Sequence, residues 1–175
     1  LGEAASPELQ SRIVDYISAQ PKVLGYHDLM VHDYGPGQRF ATIHVEMDCK
    51  EDPMQCHELI DDMERECLKS HNIHLVIHYD PVVTDDPELT RLHILVDELL
   101  GEMDARLRTH DFRMVPGGGH TNLIFDIAVP QDTKFTKSEI QNKLEEALRA
   151  REGKTYHTII TFDPIAFNQE SCEHQ

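Results

Sequence analysis

The segment from residue 74 to residue 81, HLVIHYDP, carries residue types that bind divalent metals. Its β-branched residues and strict alternation predict a strand, with Leu75 and Ile77 on one face and His78 and Asp80 on the other. At about 3.3 Å per residue, His78 and Asp80 start about 7 Å apart, so both reach one divalent ion or two neighbouring ions. A solvated strand face that ends in an Asp-Pro turn explains the same segment without a metal.

Three more histidines in the same half of the chain extend the candidate site. Four imidazoles and one carboxylate exceed the needs of one tetrahedral zinc, and they suit two adjacent ions with a bridging carboxylate. Because no thiolate cluster is present, Zn²⁺, Fe²⁺, Mn²⁺ or Co²⁺ fits this donor set better than Cu⁺. The predicted ligands are His27, His44, His57, His78 and Asp80.

The elements that must position these ligands follow from capping and periodicity. Ser6-Pro7-Glu8 starts a helix with a stripe of buried isoleucine and leucine, and Asp52-Pro53-Met54-Gln55 caps the helix that carries His57. A strand over about residues 25–33 is expected to place His27 on one face together with Leu29 and Val31. A strand over about residues 39–47 is expected to turn Ala41, Ile43, Val45 and Met47 to the core, and Phe40, Thr42, His44 and Glu46 away from it.

The predicted order is helix, strand, strand, helix, strand. Two helices on one face of a small antiparallel sheet form an α+β layer architecture of the ferredoxin-like type. His57 then lies on a helix that should cover the face opposite His44, so its convergence with the other ligands needs a site at the sheet edge or a ligand from a partner chain.

The same order of elements returns in the second half. His27-Asp28-Leu29 is echoed by His110-Asp111-Phe112, and Tyr79-Asp80-Pro81 by Phe162-Asp163-Pro164, 83 residues later in both cases. Together with glycine turns and caps in matching order, these echoes indicate an internal duplication. We therefore expect units at residues 1–84 and 85–167, a tail at 168–175, and a first helix of the second unit from Pro87 to about Arg108.

The second unit keeps few of the ligands. The position of His44 is predicted to hold Ala128 or its neighbour, that of His57 Ile140, and that of His78 Thr161, while only His110 and Asp163 are retained. The metal cluster is thus expected once, in the first unit.

Composition narrows the functions. The 175 residues hold 16 basic and 32 acidic side chains, a formal charge of −16 that opposes binding to nucleic acids and anionic lipid surfaces. No apolar run reaches the roughly 18 residues of a membrane span, and no signal peptide is visible. The four cysteines lack C-x-x-C spacing, which predicts reduced, intracellular thiols. Since the first residue is Leu1 and not methionine, we expect a piece of a longer protein.

Four segments in order resemble one family: GYHDL at 25–29, IHVEM at 43–47, QCH at 55–57 and VIHYDP at 76–81. They closely resemble the cytosolic C-terminal domain of bacterial cation diffusion facilitator transporters. The resemblance implies a metallochaperone-like ferredoxin-type fold, a homodimer below the membrane, and a zinc pair near the dimer interface held by the five predicted ligands. The second unit looks like an extra repeat carried by a longer subset of these transporters. The transmembrane domain that would carry transport is missing from this chain.

The resulting hypothesis is a regulatory, metal-sensing and dimerisation domain of a zinc or iron exporter, on the cytoplasmic side of an inner or plasma membrane, binding two Zn²⁺ per protomer and no nucleic acid. It is not expected to be an enzyme. A soluble metal carrier or interaction module is one alternative. A metal-dependent hydrolase is another, and Glu46 is the only nearby general base for it.

Overall fold

The computed structural model describes residues 3–164, and the chain divides into two compact units between Val82 and Val83. Each unit contains the predicted α-β-β-α-β order, so the α+β fold with a repeated unit is confirmed. The first unit adds a short leading strand, and its elements are β1 (Glu3–Ala4), α1 (Pro7–Ser18), β2 (Gly25–Asp33), β3 (Arg39–Asp48), α2 (Pro53–His71) and β4 (Ile73–Val82). The second unit consists of α3 (Pro87–Met103), β5 (Thr109–Val115), β6 (Thr121–Val129), α4 (Lys137–Glu152) and β7 (Tyr156–Pro164). The predicted tail at 168–175 lies outside the described residues.

The sheet of the first unit is mixed. Its order is β1-β2-β3-β4, with β2 antiparallel to β3 and β3 parallel to β4. The expectation of an antiparallel sheet was wrong because α2 returns the chain to the end of the sheet where β3 began, which makes β4 run parallel to β3. Pro81 is tolerated inside β4 because β4 is an edge strand.

Both helices of the first unit cover one face of this sheet. Ser6 accepts a hydrogen bond from the Leu9 backbone N–H at 3.2 Å, and Asp52 accepts one from the Gln55 backbone N–H at 2.9 Å, as the capping signals predict. The shared core contains Leu9, Ile13 and Ile17 of α1, Cys56, Ile60 and Met63 of α2, and the predicted inward residues Ala41, Ile43, Val45, Leu75 and Ile77. The other face, here called the open face, therefore presents His44 and His78.

A β-bulge decides where His27 lies. His27 pairs with His44 and Val31 pairs with Ala41, so β2 uses one residue more than β3 between these two pairs. The extra residue is Asp28, whose φ of 52° lies in the left-handed region that aspartate tolerates better than most side chains. The prediction that His27 shares a face with Val31 was therefore wrong, because the bulge turns His27 to the open face.

The second unit repeats this architecture with the strand order β5-β6-β7. It also repeats the bulge, because the register shifts between His110 and Arg113 and Asp111 has a φ of 53°. Its helix α3 ends at Met103, earlier than predicted. The reason is Asp104, which leaves the helical conformation and accepts a hydrogen bond from the Arg106 backbone N–H at 3.0 Å.

The strand register corrects one of the predicted equivalences between the units and adds another. His110 pairs with Asp126 as His27 pairs with His44, so Asp126 is the counterpart of His44 and Ala128 is not. Ala128 pairs with Asp163, as Glu46 pairs with Asp80, and is therefore the counterpart of Glu46.

The caps correct a second predicted equivalence. Because Thr136 caps α4 as Asp52 caps α2, the helical counterpart of His57 is Gln141, one residue beyond the predicted Ile140.

Among residues 3–164, none of the helices has the length and the apolar character that a membrane span requires.

Candidate metal centre

Three histidines form a row across the open face of the first unit. His27 on β2, His44 on β3 and His78 on β4 are direct partners in the sheet register. The ring centroids of His27 and His44 lie 4.7 Å apart, and those of His44 and His78 lie 4.5 Å apart. The imidazoles of these three predicted ligands are distant in the sequence. The three adjacent strands bring them side by side at one level of the sheet.

The carboxylate of Asp80 is common to all three rings. Its Oδ2 lies 3.0 Å from His44 Nδ1 and 3.2 Å from His27 Nε2, and its Oδ1 lies 3.4 Å from His78 Nε2. Asp80 is only 7% exposed although it lies on the open face, because the histidines surround it. Both oxygens of one buried carboxylate thus point toward imidazole nitrogens, which is an arrangement suited to a bridging ligand.

The charges of the site shift the ionisation of its members. Burial alone would lower the pKa of His27, but the close carboxylates of Asp80 and Glu46 outweigh it and raise the pKa to about 9. Burial would raise the pKa of Asp80, yet its contacts with the imidazoles of His27 and His44 lower it. Without metal, the imidazolium of His27 therefore neutralises part of the negative charge at neutral pH.

Two overlapping groups of side chains have the geometry to hold an ion. In each group the candidate ligand atoms lie within 4.8 Å of one another: one group is His44, His78 and Asp80, and the other is His27, Asp28 and His44. The donor set of imidazole nitrogens and carboxylate oxygens fits zinc. A further sign of fit is His27 Nε2, a buried nitrogen whose approach to Asp80 lacks the geometry of a hydrogen bond and which has no hydrogen-bond partner within the described part of the chain.

Asp28 was missed by sequence reasoning as a candidate ligand. Alternation along β2 would have placed it on the opposite face from His27, and only the bulge brings its carboxylate to the cluster. Its backbone conformation is not specific to the metal centre, because Asp111 adopts the same left-handed φ in the second unit.

From the sequence, the only role expected for Glu46 is that of a hydrolytic base. In the structure its side chain is fully buried and its Oε2 lies 3.0 Å from His27 Nδ1. The available signal was its position two residues after His44, on the same face of β3.

His57 does not join the other predicted ligands within one protomer. It is exposed on α2, whose buried side packs against the core face of the sheet, whereas the histidine row lies on the open face. The neighbouring Cys56 is fully buried in that core. Of the five predicted ligands, the fold thus brings together His27, His44, His78 and Asp80.

The second unit has no comparable cluster among its described residues. Asp126, Thr161 and Ala128 occupy the positions of His44, His78 and Glu46, and groups of three candidate ligands in residues 3–164 occur only in the first unit. His120 and His157 lie with ring centroids 4.6 Å apart but belong to no such group. Cys172 and His174, two further residues of types that bind metals, fall outside the described residues.

Comparison with known proteins finds relatives of the first unit. The family model for the cytoplasmic domain of cation efflux proteins matches residues 5–82. The cation-efflux pump FieF of Escherichia coli is 34% identical over 82 residues, covering 46% of this chain and 27% of the relative, and FieF of Serratia proteamaculans is 37% identical over the same span. The chain thus spans about a quarter of the length of these relatives.

Solved structures also match this part of the chain. The metal-bound C-terminal domain of the CzcD transporter from Thermotoga maritima aligns over 42% of this chain and 87% of that chain, with 25% identity and a TM-score of 0.39. A nickel form of the MamM C-terminal domain aligns over 43% and 98%, with 23% identity and a TM-score of 0.39. Residues 5–82, which make up most of the first unit, thus resemble the cytoplasmic domain of cation efflux proteins, both in the family model and in the FieF pumps.

Proposed function

We propose that this chain is the regulatory, metal-sensing and dimerisation domain of a divalent-cation efflux transporter. The observation that carries the proposal is the row of His27, His44 and His78 around the buried carboxylate of Asp80. The curated relatives are named cation-efflux pumps, and in the proposed protein a transmembrane domain of the same polypeptide performs the transport.

Zinc is the proposed ion, and two ions bind per protomer. Imidazole and carboxylate donors suit Zn²⁺, and Fe²⁺, Mn²⁺ and Co²⁺ are compatible with the same set. The pair is supported by the two overlapping groups that share His44. Charge supports it as well, because Asp28, Glu46 and Asp80 bring three carboxylates to this end of the open face, more than the single imidazolium of His27 neutralises.

We place the metal pair near the interface of a homodimer formed through the first unit. The open face beside the histidine row carries exposed apolar side chains, with Met30 58%, Val76 60% and Phe40 47% exposed, which a second copy would cover. His57 is exposed on α2 and unable to join the row from its own protomer, so the proposed source of this fifth ligand is the partner chain.

The sensing role follows from the linkage between metal and arrangement. A ligand shifts a conformational equilibrium only by its differential affinity for the two states. Ions held between two protomers satisfy this condition, because the full ligand set exists only when the protomers are close. Excess metal would therefore favour the arrangement in which the two cytoplasmic domains lie close together.

A soluble metal carrier would use the same ligands, but the family match favours a transporter domain. A metal-dependent hydrolase is disfavoured by the position of Glu46. Its carboxylate is fully buried and hydrogen-bonded to His27, so it does not face a water that it could activate.

The test is metal analysis of the chain after chelation and reloading with zinc. We expect about two equivalents per protomer in the wild type and a clear loss in His78→Ala. The matched control is His74→Ala. His74 is an exposed histidine on the same face of β4, it contacts Phe40, and it belongs to neither candidate ligand group. Equal zinc content in the wild type and His78→Ala would remove the histidine row from the proposed function.

A further inference from the structure

A fully buried carboxylate lies beside the metal centre without belonging to either candidate ligand group. Glu46 has no exposed surface, whereas the groups consist of His44, His78 and Asp80 and of His27, Asp28 and His44. Burying a carboxylate is costly unless it is paired and hydrogen-bonded. Its contacts therefore indicate what it does for the site.

Glu46 contacts the nitrogen of His27 that faces away from the cluster. Its Oε2 lies 3.0 Å from Nδ1, while Nε2 of the same ring lies 3.2 Å from Asp80 Oδ2 and has no hydrogen-bond partner among the described residues. An ionised carboxylate only accepts hydrogen bonds, so Nδ1 is the donor in this contact. With Nδ1 protonated, Nε2 is the nitrogen available to a metal.

The fold makes room for this contact. Gly25, Glu46 and Asp80 are direct partners across β2, β3 and β4, so that Glu46 lies between a glycine and the central carboxylate. A Cβ at position 25 would lie 3.4 Å from Glu46 Oε2. The absence of a side chain at Gly25 thus leaves the Glu46 carboxylate space on the side away from Asp80.

The second unit offers an internal comparison. It retains a histidine at the bulge, His110, but Ala128 occupies the position of Glu46, and no group of candidate ligands forms there within the described residues. The apolar alternation of the strand is retained in both units. The carboxylate is therefore not a requirement of the fold, and it occurs in the unit that has the cluster.

We infer that Glu46 is a positioning residue, which fixes the His27 ring with Nδ1–H toward itself and Nε2 toward the metal. The inference rests on the proposed metal site. A carboxylate behind a ligating histidine also makes the ring a stronger ligand, and the loss of such a partner typically lowers metal affinity 10- to 100-fold.

The test uses the full chain with zinc alone as the probe. In ¹⁵N spectra of the zinc-loaded wild type, we expect His27 Nε2 to be metal-bound and Nδ1 to be protonated. Glu46→Ala, which reproduces Ala128 of the second unit, should lose this fixed assignment of the ring nitrogens and bind zinc about 10- to 100-fold more weakly. Glu46→Gln keeps the shape and an acceptor, so it should restore the ring assignment while its affinity stays below that of the wild type.

Glu58→Ala serves as the control, since it removes one negative charge from an exposed position of α2. If the wild type binds no zinc, the proposed function fails first. If the wild type binds zinc while Glu46→Ala keeps the same affinity and the same His27 nitrogens, the proposed function stands and the positioning role is overturned. If Glu46→Ala does not fold, the test uses Glu46→Gln. A wild-type zinc affinity in Glu46→Gln would then overturn the positioning role of Glu46.

Discussion

His44 Nδ1 lies 3.0 Å from Oδ2 of Asp80, a carboxylate on the neighbouring parallel strand. The pairing of β3 with β4 produces this contact, because His44 is opposite His78 and Asp80 follows two residues later on the same face. His44 is the member that the two candidate ligand groups have in common. The loss of different residues from the row should therefore have unequal effects.

Replacement of His44 should cost more metal than replacement of His78. Without His44, each group keeps only two of its three ligands, so we expect His44→Ala to retain almost no zinc after dialysis. His78→Ala leaves the group around His27 intact and should retain about one equivalent. Metal analysis of both variants with the wild type tests this, and two equivalents in His44→Ala would contradict the shared role.

The carboxylate of Asp28 can be separated from its backbone conformation. Asparagine also tolerates the left-handed region, so Asp28→Asn should keep the bulge and the stability of the metal-free chain while it weakens binding of one of the two ions. Asp111→Asn makes the same change in the second unit and should leave zinc binding unaltered. Equal zinc titrations of Asp28→Asn and the wild type would show that Asp28 serves the backbone alone.

Zinc affinity should continue to rise with pH above the range in which an unperturbed histidine loses its proton. Protons compete with the metal for the imidazoles, whose unperturbed pKa is about 6.5, so affinity weakens steeply from pH 7 to about pH 5.5. Because the pKa of His27 is raised to about 9, zinc must still displace a proton from this ring at pH 7 to 9. Calorimetric titrations in buffers of different ionisation enthalpy should show proton release in this upper range. His27→Gln should abolish the release above pH 7.5, and a wild-type affinity that is flat across the range would exclude histidine as the dominant ligand.

The metal-free chain should show the opposite trend in stability. A pKa raised from 6.5 to about 9 means that the ion pairs of His27 stabilise the fold fully below pH 6.5 and are lost as pH rises through 9. The pKa of Asp80 is lowered, so its contribution is present above the unfolded value near 3.8 and is lost in acid. Urea unfolding with a chelator should therefore give a lower midpoint at pH 9.5 than at pH 6.5. The decrease should be smaller in His27→Gln.

The proposed dimer predicts that the first unit associates through metal. Sedimentation of the full chain and of residues 1–84, each with zinc and with chelator, should show zinc-dependent dimers in both. A His57→Ala variant should dimerise more weakly, since His57 would complete the site of the partner. If residues 1–84 remain monomeric in zinc while the full chain is dimeric, the second unit is the dimerisation element.

Local sequence signals anticipated most elements of the fold. Caps such as Asp52 and the alternation of β3 depend on neighbouring residues, so they can be read from sequence directly. The parallel pairing of β4 was missed because strand direction depends on the crossover and not on the strand itself. The geometry of the site also depends on the extra residue at Asp28, which the sequence did not predict. This residue turns His27 to the opposite face of the sheet.

The position of Glu46 was predictable but its role was not. The alternation of β3 places Glu46 on the same face as His44, and an acidic residue on that face is expected to be exposed to solvent. Its burial arises from the register with Gly25 and Asp80, which joins strands distant in sequence. Only the assembled sheet distinguishes this carboxylate from the many acids on the surface.

The repeated bulge separates the backbone from the candidate ligands. Asp28 and Asp111 hold the same left-handed backbone geometry, yet among the described residues only the first unit surrounds it with candidate ligands. The bend is therefore part of the scaffold that both units share, and the side chains around it distinguish one unit from the other. Histidines in place of Asp126 and Thr161 would give the second unit the same row across its strands without any change of backbone.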